Sequence, residues 1–384
     1  MDDPKYNKSK LMGSILFTGD FCPIGRVSSD LGDKVYNDFL PILYKHALTV
    51  INLECPLCDD EQIEIPKTGP NIRAELNGVE LLKCGNFNLA TLANNHILDY
   101  GEGGLKSTIK ICKAEGIDTV GAGANFDDAQ RIFFKEIDGV NIAILNFTEN
   151  EFSTTNNNEA GANPLNIIRN FHDIKYAKSE ADFVFVVIHG GHEGYNLPSP
   201  RMKQTYQFFV DAGASAIIGH HSHCYSGFEI YKGVPIFYSL GNFIFDDETL
   251  CFDSAWTSGY AVGFYFNDGK LDFKLYPYKQ NNEETVGVRL LTNEETCSFE
   301  TNMELINNII EDEKKLELAF SKFIDSRKRI YLSYIEPFSG SRFYSYLFNK
   351  NLLPSIFTKR KKRLMLNLVR CEAHRDLLME ILKK

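Results

Sequence analysis

No apolar run in this sequence approaches the roughly 18 to 20 residues that a membrane-spanning helix requires, and no segment repeats another. The first ten residues, MDDPKYNKSK, hold no apolar h-region of the kind a secretory signal carries, so the expected compartment is the cytoplasm. The nine cysteines are odd in number and scattered, which does not make a disulfide framework and suits a reducing compartment. The pair Cys55-Pro-Leu-Cys58 has no second copy to complete a four-cysteine zinc site, and the cysteines read mainly as small buried hydrophobes. A basic surplus is missing too: 41 Lys and Arg stand against 51 Asp and Glu. That excludes a general nucleic-acid binder. A small phosphate-bearing substrate stays open, because a bound cation can reverse the local field. The stretch GAGAN, Gly121 to Asn125, lacks the third glycine of a dinucleotide loop and reads as a turn. The single tryptophan, Trp256, reads as packing.

What is present is an ordinary globular composition, 43% hydrophobic and 24% charged, over 384 residues. From about Ser14 to Leu291 short β-rich runs alternate with amphipathic segments such as 105–115 and 202–212, which predicts a layered α/β domain. The hairpin pattern YAVGFYFNDGKLDFKLY, with its Asn-Asp-Gly turn, argues against a purely parallel sheet. The polar stretch from Thr148 to Pro164 reads as a long loop, and loops of that length inside a domain are often functional. Beyond about Glu295 long charged helical patterns take over, so the expected division is a domain over residues 1–292 and a helical extension over 293–384. The basic run from Lys359 to Arg363 reads as a solvated helix face, with contact to an anionic membrane surface as the alternative.

Five apolar strand candidates stop on residues able to bind a metal. Asp20 closes ILFTGD, Glu54 closes VINLE, Asn95 and His96 follow LATLAN, His189 closes FVFVVIH, and His221 and His223 follow AIIG. Strand termini in such sheets converge on one edge, where ligands bind. Carboxylates, an amide oxygen and imidazoles together suit a pair of divalent cations, Mn, Fe or Zn rather than calcium. In extended backbone the two histidines of His221-Ser222-His223 would point to one side and reach different metals, leaving His220 on the other face. Read one at a time, Asp20 and Glu54 could cap loops, Asn95 could cap a helix and His189 could sit in the core; the joint pattern favours ligands.

These segments resemble a known family, the CapA or PgsA-like proteins of bacterial capsule and poly-γ-glutamate synthesis, a branch of the calcineurin-like metallophosphoesterases. The resemblance is carried by FTGDFCPIGR, INLECPL, LANNHILDYG, VGAGAN, VIHGGHEGY, IIGHHSH and FYSLGNFIFD, in that order from Phe17 to Asp246. It implies a four-layer αββα fold of two mixed sheets with a dinuclear site at the strand ends. By position, Asp20 and His223 would hold one metal, Asn95, His189 and His221 the other, and Glu54 would bridge. His96 would be the general acid, oriented by Asp99. Arg26, His192, Glu193 and Asn242 would contact the substrate or support the groups that do. Two positions depart from the wider superfamily: Asp20-Phe21-Cys22 replaces Asp-x-His, and Glu54 replaces an aspartate.

Two functions follow. One is a metal-dependent hydrolase of phosphate esters, or of γ-glutamyl amides, since a dinuclear site polarises a carbonyl as well as a phosphoryl group. The other is a non-catalytic subunit of a capsule or polyglutamate synthesis complex, docked through its C-terminal helices. The expected partners are a small phosphorylated or polyglutamyl substrate and, through those helices, a membrane surface or a biosynthetic complex, with no nucleic acid.

Overall fold

Along each central strand the apolar side chains divide between two faces, both of which are covered. In the computed structural model, Ile15 and Phe17 of strand Leu11–Cys22 pack inward with Leu48 and Val50 of strand His46–Leu53. Leu16, Ile51 and Leu53, one residue out of phase, pack outward. That two-residue period is the pleat itself, and burial on both faces makes the runs continuously apolar. The structure describes residues 11–67, 69–246, 255–267, 269–282, 286–336 and 340–370, with His374 and Leu382 besides.

Among the described residues the first mixed sheet has eight strands, Leu11–Cys22 lying between His46–Leu53 and Ser258–Asn267. The second has six and is centred on Phe183–His189 and Ala216–His220, which run parallel. Ile142, Ile144, Phe185, Val187 and Ile218 from the second sheet meet Ile15, Phe17, Val50 and Phe264 from the first, so the sheets pack face to face. Helices Val79–Cys84 and Gly101–Ala114 cover the outer face of the first sheet, where Leu81, Leu82, Leu105 and Cys112 meet Leu16 and Ile51. Helices Ile167–Glu180 and Pro200–Ala212 cover the second, with Ile174, Tyr206 and Phe209 against Val184 and Val186. This is a four-layer αββα sandwich. The expected hairpin is present as Ser258–Asn267 paired antiparallel with Lys270–Gln280.

The chain divides into two compact units, Met1–Glu317 and Leu318–Lys384. Helix Asn293–Glu311 begins at a capping box formed by Thr292 and Glu295. Its Phe299 and Met303 join the core between the sheets, and Ile306 and Ile310 join the outer core of the second. The composition change near residue 293 therefore marks a helix whose apolar stripe is buried within the first unit. In the second unit, the Arg329 guanidinium donates to Phe348 O and lies over its ring, and helices Arg342–Asn349 and Lys359–Arg370 follow. Most of the helical pattern beyond Arg370 lies outside the described residues. Among the described residues no helix is long and apolar enough to cross a membrane.

Candidate metal centre

The strands Leu11–Cys22, His46–Leu53 and Leu89–Thr91 run parallel in one sheet, and Phe183–His189 and Ala216–His220 run parallel in the other. Their C-terminal ends meet. Cross-strand register sets Asp20 beside Asn52 and Asn242, and His220 beside His189. The structure thus brings Asp20, Glu54, Asn95, His189, His221 and His223 together, all buried.

Ligand atoms of Glu54, His189 and His221 lie within 4.8 Å of one another, as do those of Asp20, Glu54 and His223. Glu54 belongs to both groups. His189 Nε2 lies 2.9 Å from Asn95 Oδ1, 3.1 Å from His221 Nδ1 and 3.5 Å from Glu54 Oε1. On the other side His223 Nε2 is 3.4 Å from Glu54 Oε1, and His223 Nδ1 is 3.7 Å from Asp20 Oδ2. Among the described residues neither Glu54 oxygen has a hydrogen-bond partner. Three lone-pair atoms thus crowd around a fourth, His189 Nε2, with at most two ring protons to share, an arrangement that a cation relieves and hydrogen bonds do not. The donor set of carboxylates, amide and imidazoles fits divalent transition-metal ions.

Electrostatics agree with that fit. Burial, then the neighbouring Asp20 and Glu193 charges, holds the Glu54 carboxyl well above the usual carboxylate range. Burial would also raise Asp20, but the charges of His220 and His223 and the hydrogen bonds from His220 and Asn52 together outweigh it, and its pKa is lowered. Burial, reinforced by His221, His220 and His223, holds His189 well below the ordinary histidine value, which favours the neutral ring with one nitrogen lone pair available. Burial also lowers His223, against the pull of Asp20.

The histidine triplet does not adopt extended backbone. The strand ends at His220, and His221 and His223 take positive φ of 92° and 56°, a region that residues with a Cβ seldom enter. The tight turn is held by the His221 N–H donating to Asp20 Oδ2 and by His223 Nδ1 donating to Asn242 Oδ1. His220 accordingly does not face away: its Nδ1 donates to Asp20 Oδ1 at 2.8 Å. Asn242 is wholly buried and its amide donates to His223 O and Trp256 O, so it orients His223 rather than contacting a substrate.

A cavity of about 490 Å³ opens beside the cluster, with Asn95, His96, His223, Glu193 and Lys67 on its polar side and Ile72, Phe152, Phe245 and Trp256 among its apolar walls. His96 Nδ1 donates to Asp99 Oδ2 at 2.7 Å. Asp99 also accepts from Ile72 N–H and from the Lys67 ammonium, whose side chain is buried. His192 is half-buried next to Tyr195 and is not part of the cavity wall, whereas Glu193 is exposed at it. Arg26 is committed elsewhere: its guanidinium pairs with Asp246 and donates to Asn282 O. The glycines of HGGHE have a steric reason. A Cβ on Gly190 would meet Glu149, whose carboxylate accepts the Gly191 N–H, and Gly191 takes a φ of 128°.

Three residues escaped the sequence reading. Asn52 donates to Asp20 Oδ1 and lies 3.1 Å from His189 Nδ1, tying the two sheets at the site. It sits one strand pitch from Glu54, an amide inside an apolar run, and that was the available signal. Lys67 lies in a loop with no periodic pattern. Trp256 does pack, but against the His223 ring at 4.8 Å and as a wall of the cavity. Cys55 and Cys58 are buried, and burial pushes the Cys58 thiol up to about 11.

A four-layer α/β sandwich with a buried carboxylate and imidazole cluster at its strand ends is the class this molecule falls in. The family model "Bacterial capsule synthesis protein PGA_cap" matches residues 14–247, and the chain belongs to that family. Among its relatives are the capsule biosynthesis protein CapA of Bacillus anthracis, 37% identical over 222 residues covering 56% of this chain and 54% of that protein. The PGA biosynthesis protein CapA of Bacillus subtilis (strain 168) is 34% identical over 240 residues, covering 61% and 63%. The match thus spans less than two thirds of the length of these relatives. A crystal structure of a hypothetical protein from Thermus thermophilus aligns with a TM-score of 0.44 at 15% identity, covering 69% of this chain and 99% of that one.

Proposed function

We propose that this chain is a metal-dependent hydrolase of phosphate esters, the metallophosphoesterase reading of its family, working within capsule or poly-γ-glutamate synthesis on a small phosphorylated or polyglutamyl substrate. The observation that carries the reading is Glu54: a fully buried carboxylate without a hydrogen-bond partner among the described residues, shared by two ligand groups. Asp20, Glu54 and His223 would hold one divalent ion, and Glu54, Asn95, His189 and His221 the other. When bound, two such ions supply Lewis acidity toward a phosphoryl or carbonyl oxygen and lower the pKa of water at the site.

The chain's own groups do the rest. His96, with Nδ1 engaged by Asp99, presents Nε2 to the cavity and delivers a proton to the leaving-group oxygen. Lys67, buried beside Asp99, fixes that pair and adds positive charge where an anionic substrate enters. Phe152, Phe245 and Trp256 give the cavity an apolar wall beside these groups. His223 and Asn95 reach the cavity, so the substrate meets the ligand cluster on that side.

The test is metal analysis joined to a panel of aryl phosphate esters. The purified chain is expected to hold roughly two divalent ions and to hydrolyse the esters, and His96→Ala to abolish turnover while keeping the metal. Full metal content with no turnover on phosphate esters or γ-glutamyl amides would instead make the chain a ligand-binding subunit of a synthesis complex.

A further inference from the structure

The charge of this chain is unevenly distributed. Residues 318–384 hold fifteen Lys and Arg against five Asp and Glu, a net ten positive, while the whole chain is ten negative. Residues 1–317 therefore hold 26 against 46 and are net negative by twenty. The division into compact units coincides with a reversal of sign.

Five consecutive basic residues, Lys359 to Arg363, open helix Lys359–Arg370. At 100° per residue, Leu364, Met365, Leu368 and Val369 fall on one side of that helix, and Lys359, Arg360, Lys362 and Arg363 on the other. Leu364 and Val369 are each 57% exposed, as is Leu366, which falls within the basic arc. Lys361 lies within the apolar arc, with its ammonium over the Phe357 ring at 4.8 Å. The same unit exposes Tyr331, Tyr334, Tyr344 and Tyr346, amphipathic rings of the kind that favour a boundary between water and hydrocarbon.

We propose that this unit docks on an anionic lipid surface through helix Lys359–Arg370, its basic side on the headgroups and its Leu364, Leu368 and Val369 side in the outer acyl region. Charge complementarity selects the sign of the surface, and the apolar arc selects lipid. A nucleic acid would reward the cations and leave the leucines without a role. The net-negative first unit is repelled by the same surface, so the charge reversal orients the chain with its C-terminal unit toward the membrane. The inference does not depend on the metal centre or on its chemistry.

The experiment is sedimentation of the full chain with vesicles of phosphatidylcholine containing about a third phosphatidylglycerol, against pure phosphatidylcholine vesicles and a single-stranded oligonucleotide. Binding to the anionic vesicles alone, weakened by salt, is expected. The triple change Arg360→Gln, Lys362→Gln and Arg363→Gln should lower affinity roughly a hundredfold. The pair Leu364→Asp and Leu368→Asp should lower it at least tenfold, with metal content and the circular dichroism of the chain unchanged. Equal binding to neutral vesicles, no binding to anionic ones, or indifference to the leucine pair would each overturn the proposal. So would tighter binding to the oligonucleotide.

Discussion

The same strands are two different materials along their length. At their middle they form an aromatic seam between the sheets: Phe17 lies 5.4 Å from Phe185 and 5.8 Å from Phe264, and Phe264 lies 6.0 Å from Phe237. Three residues further along, from Phe17 to Asp20, the environment is one of carboxylates and imidazoles crowded closer than their protons can satisfy. The seam contributes stability by dispersion and burial and asks nothing of a ligand. The strand ends hold lone pairs in the wrong number for hydrogen bonding, with two histidines at positive φ, and strain of that kind persists only where the surroundings enforce it. A rigid apolar platform is what allows an unsatisfied polar cluster to stand at its edge.

The largest test of that contrast is Glu54→Gln. It removes together a shared ligand and a buried carboxyl whose ionisation the fold opposes. Metal content should fall from roughly two ions to none. In metal-stripped protein at neutral pH, stability should rise by about 1–3 kcal/mol, because an unpaired buried carboxylate is gone. Calorimetry with and without metal reads both effects; a loss of stability in the stripped protein would mean the carboxylate has partners after all. Phe264→Ala is the counterpart in the seam. It should cost about 3–5 kcal/mol in chemical denaturation while leaving metal stoichiometry intact, and a change in stoichiometry would show that the two regions are not independent. Asn242→Ala comes next: with His223 no longer oriented, metal affinity should drop by about 10- to 100-fold, and an unchanged affinity by competition with a chelator would remove Asn242 from the support of the site.

Much of this contrast was legible in the chain itself. Runs such as VINLE and FVFVVIH show a strand buried on both faces and the polar residue that ends it, and family-ordered blocks relate the separate ends to one another. What escaped was whatever depends on the path of the chain beyond a strand. His221 and His223 were placed by an extended period that does not hold, because Asp20 captures the His221 N–H and turns the backbone. Lys67 reaches Asp99 from a loop with no pattern, 32 residues away. Helix Asn293–Glu311 looked like the start of an extension because its surface is charged, yet Phe299, Met303, Ile306 and Ile310 are buried among the strands' side chains. Charge marks what a helix shows to water, and spacing marks what it buries.

A second glutamate sharpens the comparison at the smallest scale. Glu295 has what Glu54 lacks: Arg289 pairs with both its oxygens at 2.8 and 2.9 Å, Lys279 approaches to 2.8 Å, and the Thr292 N–H donates to it at the start of helix Asn293–Glu311. Those donors, Arg289 foremost, hold its carboxyl below the usual range, against a smaller opposing effect of burial. A depressed folded value means that the contribution is complete above the unfolded value of 4.5 and is lost as pH falls through the folded one. Glu295→Gln should therefore cost about 0.5–1 kcal/mol at neutral pH, and the gap to the parent protein should narrow steadily as the pH is taken below 4.5. Thermal unfolding of both proteins across that range, in chelator so that the metal centre does not contribute, measures the gap. A gap that stays constant with pH would mean that Glu295 acts through its shape in the capping box rather than through its charge, and the distinction drawn between a satisfied and an orphaned carboxylate would then rest on Glu54 alone.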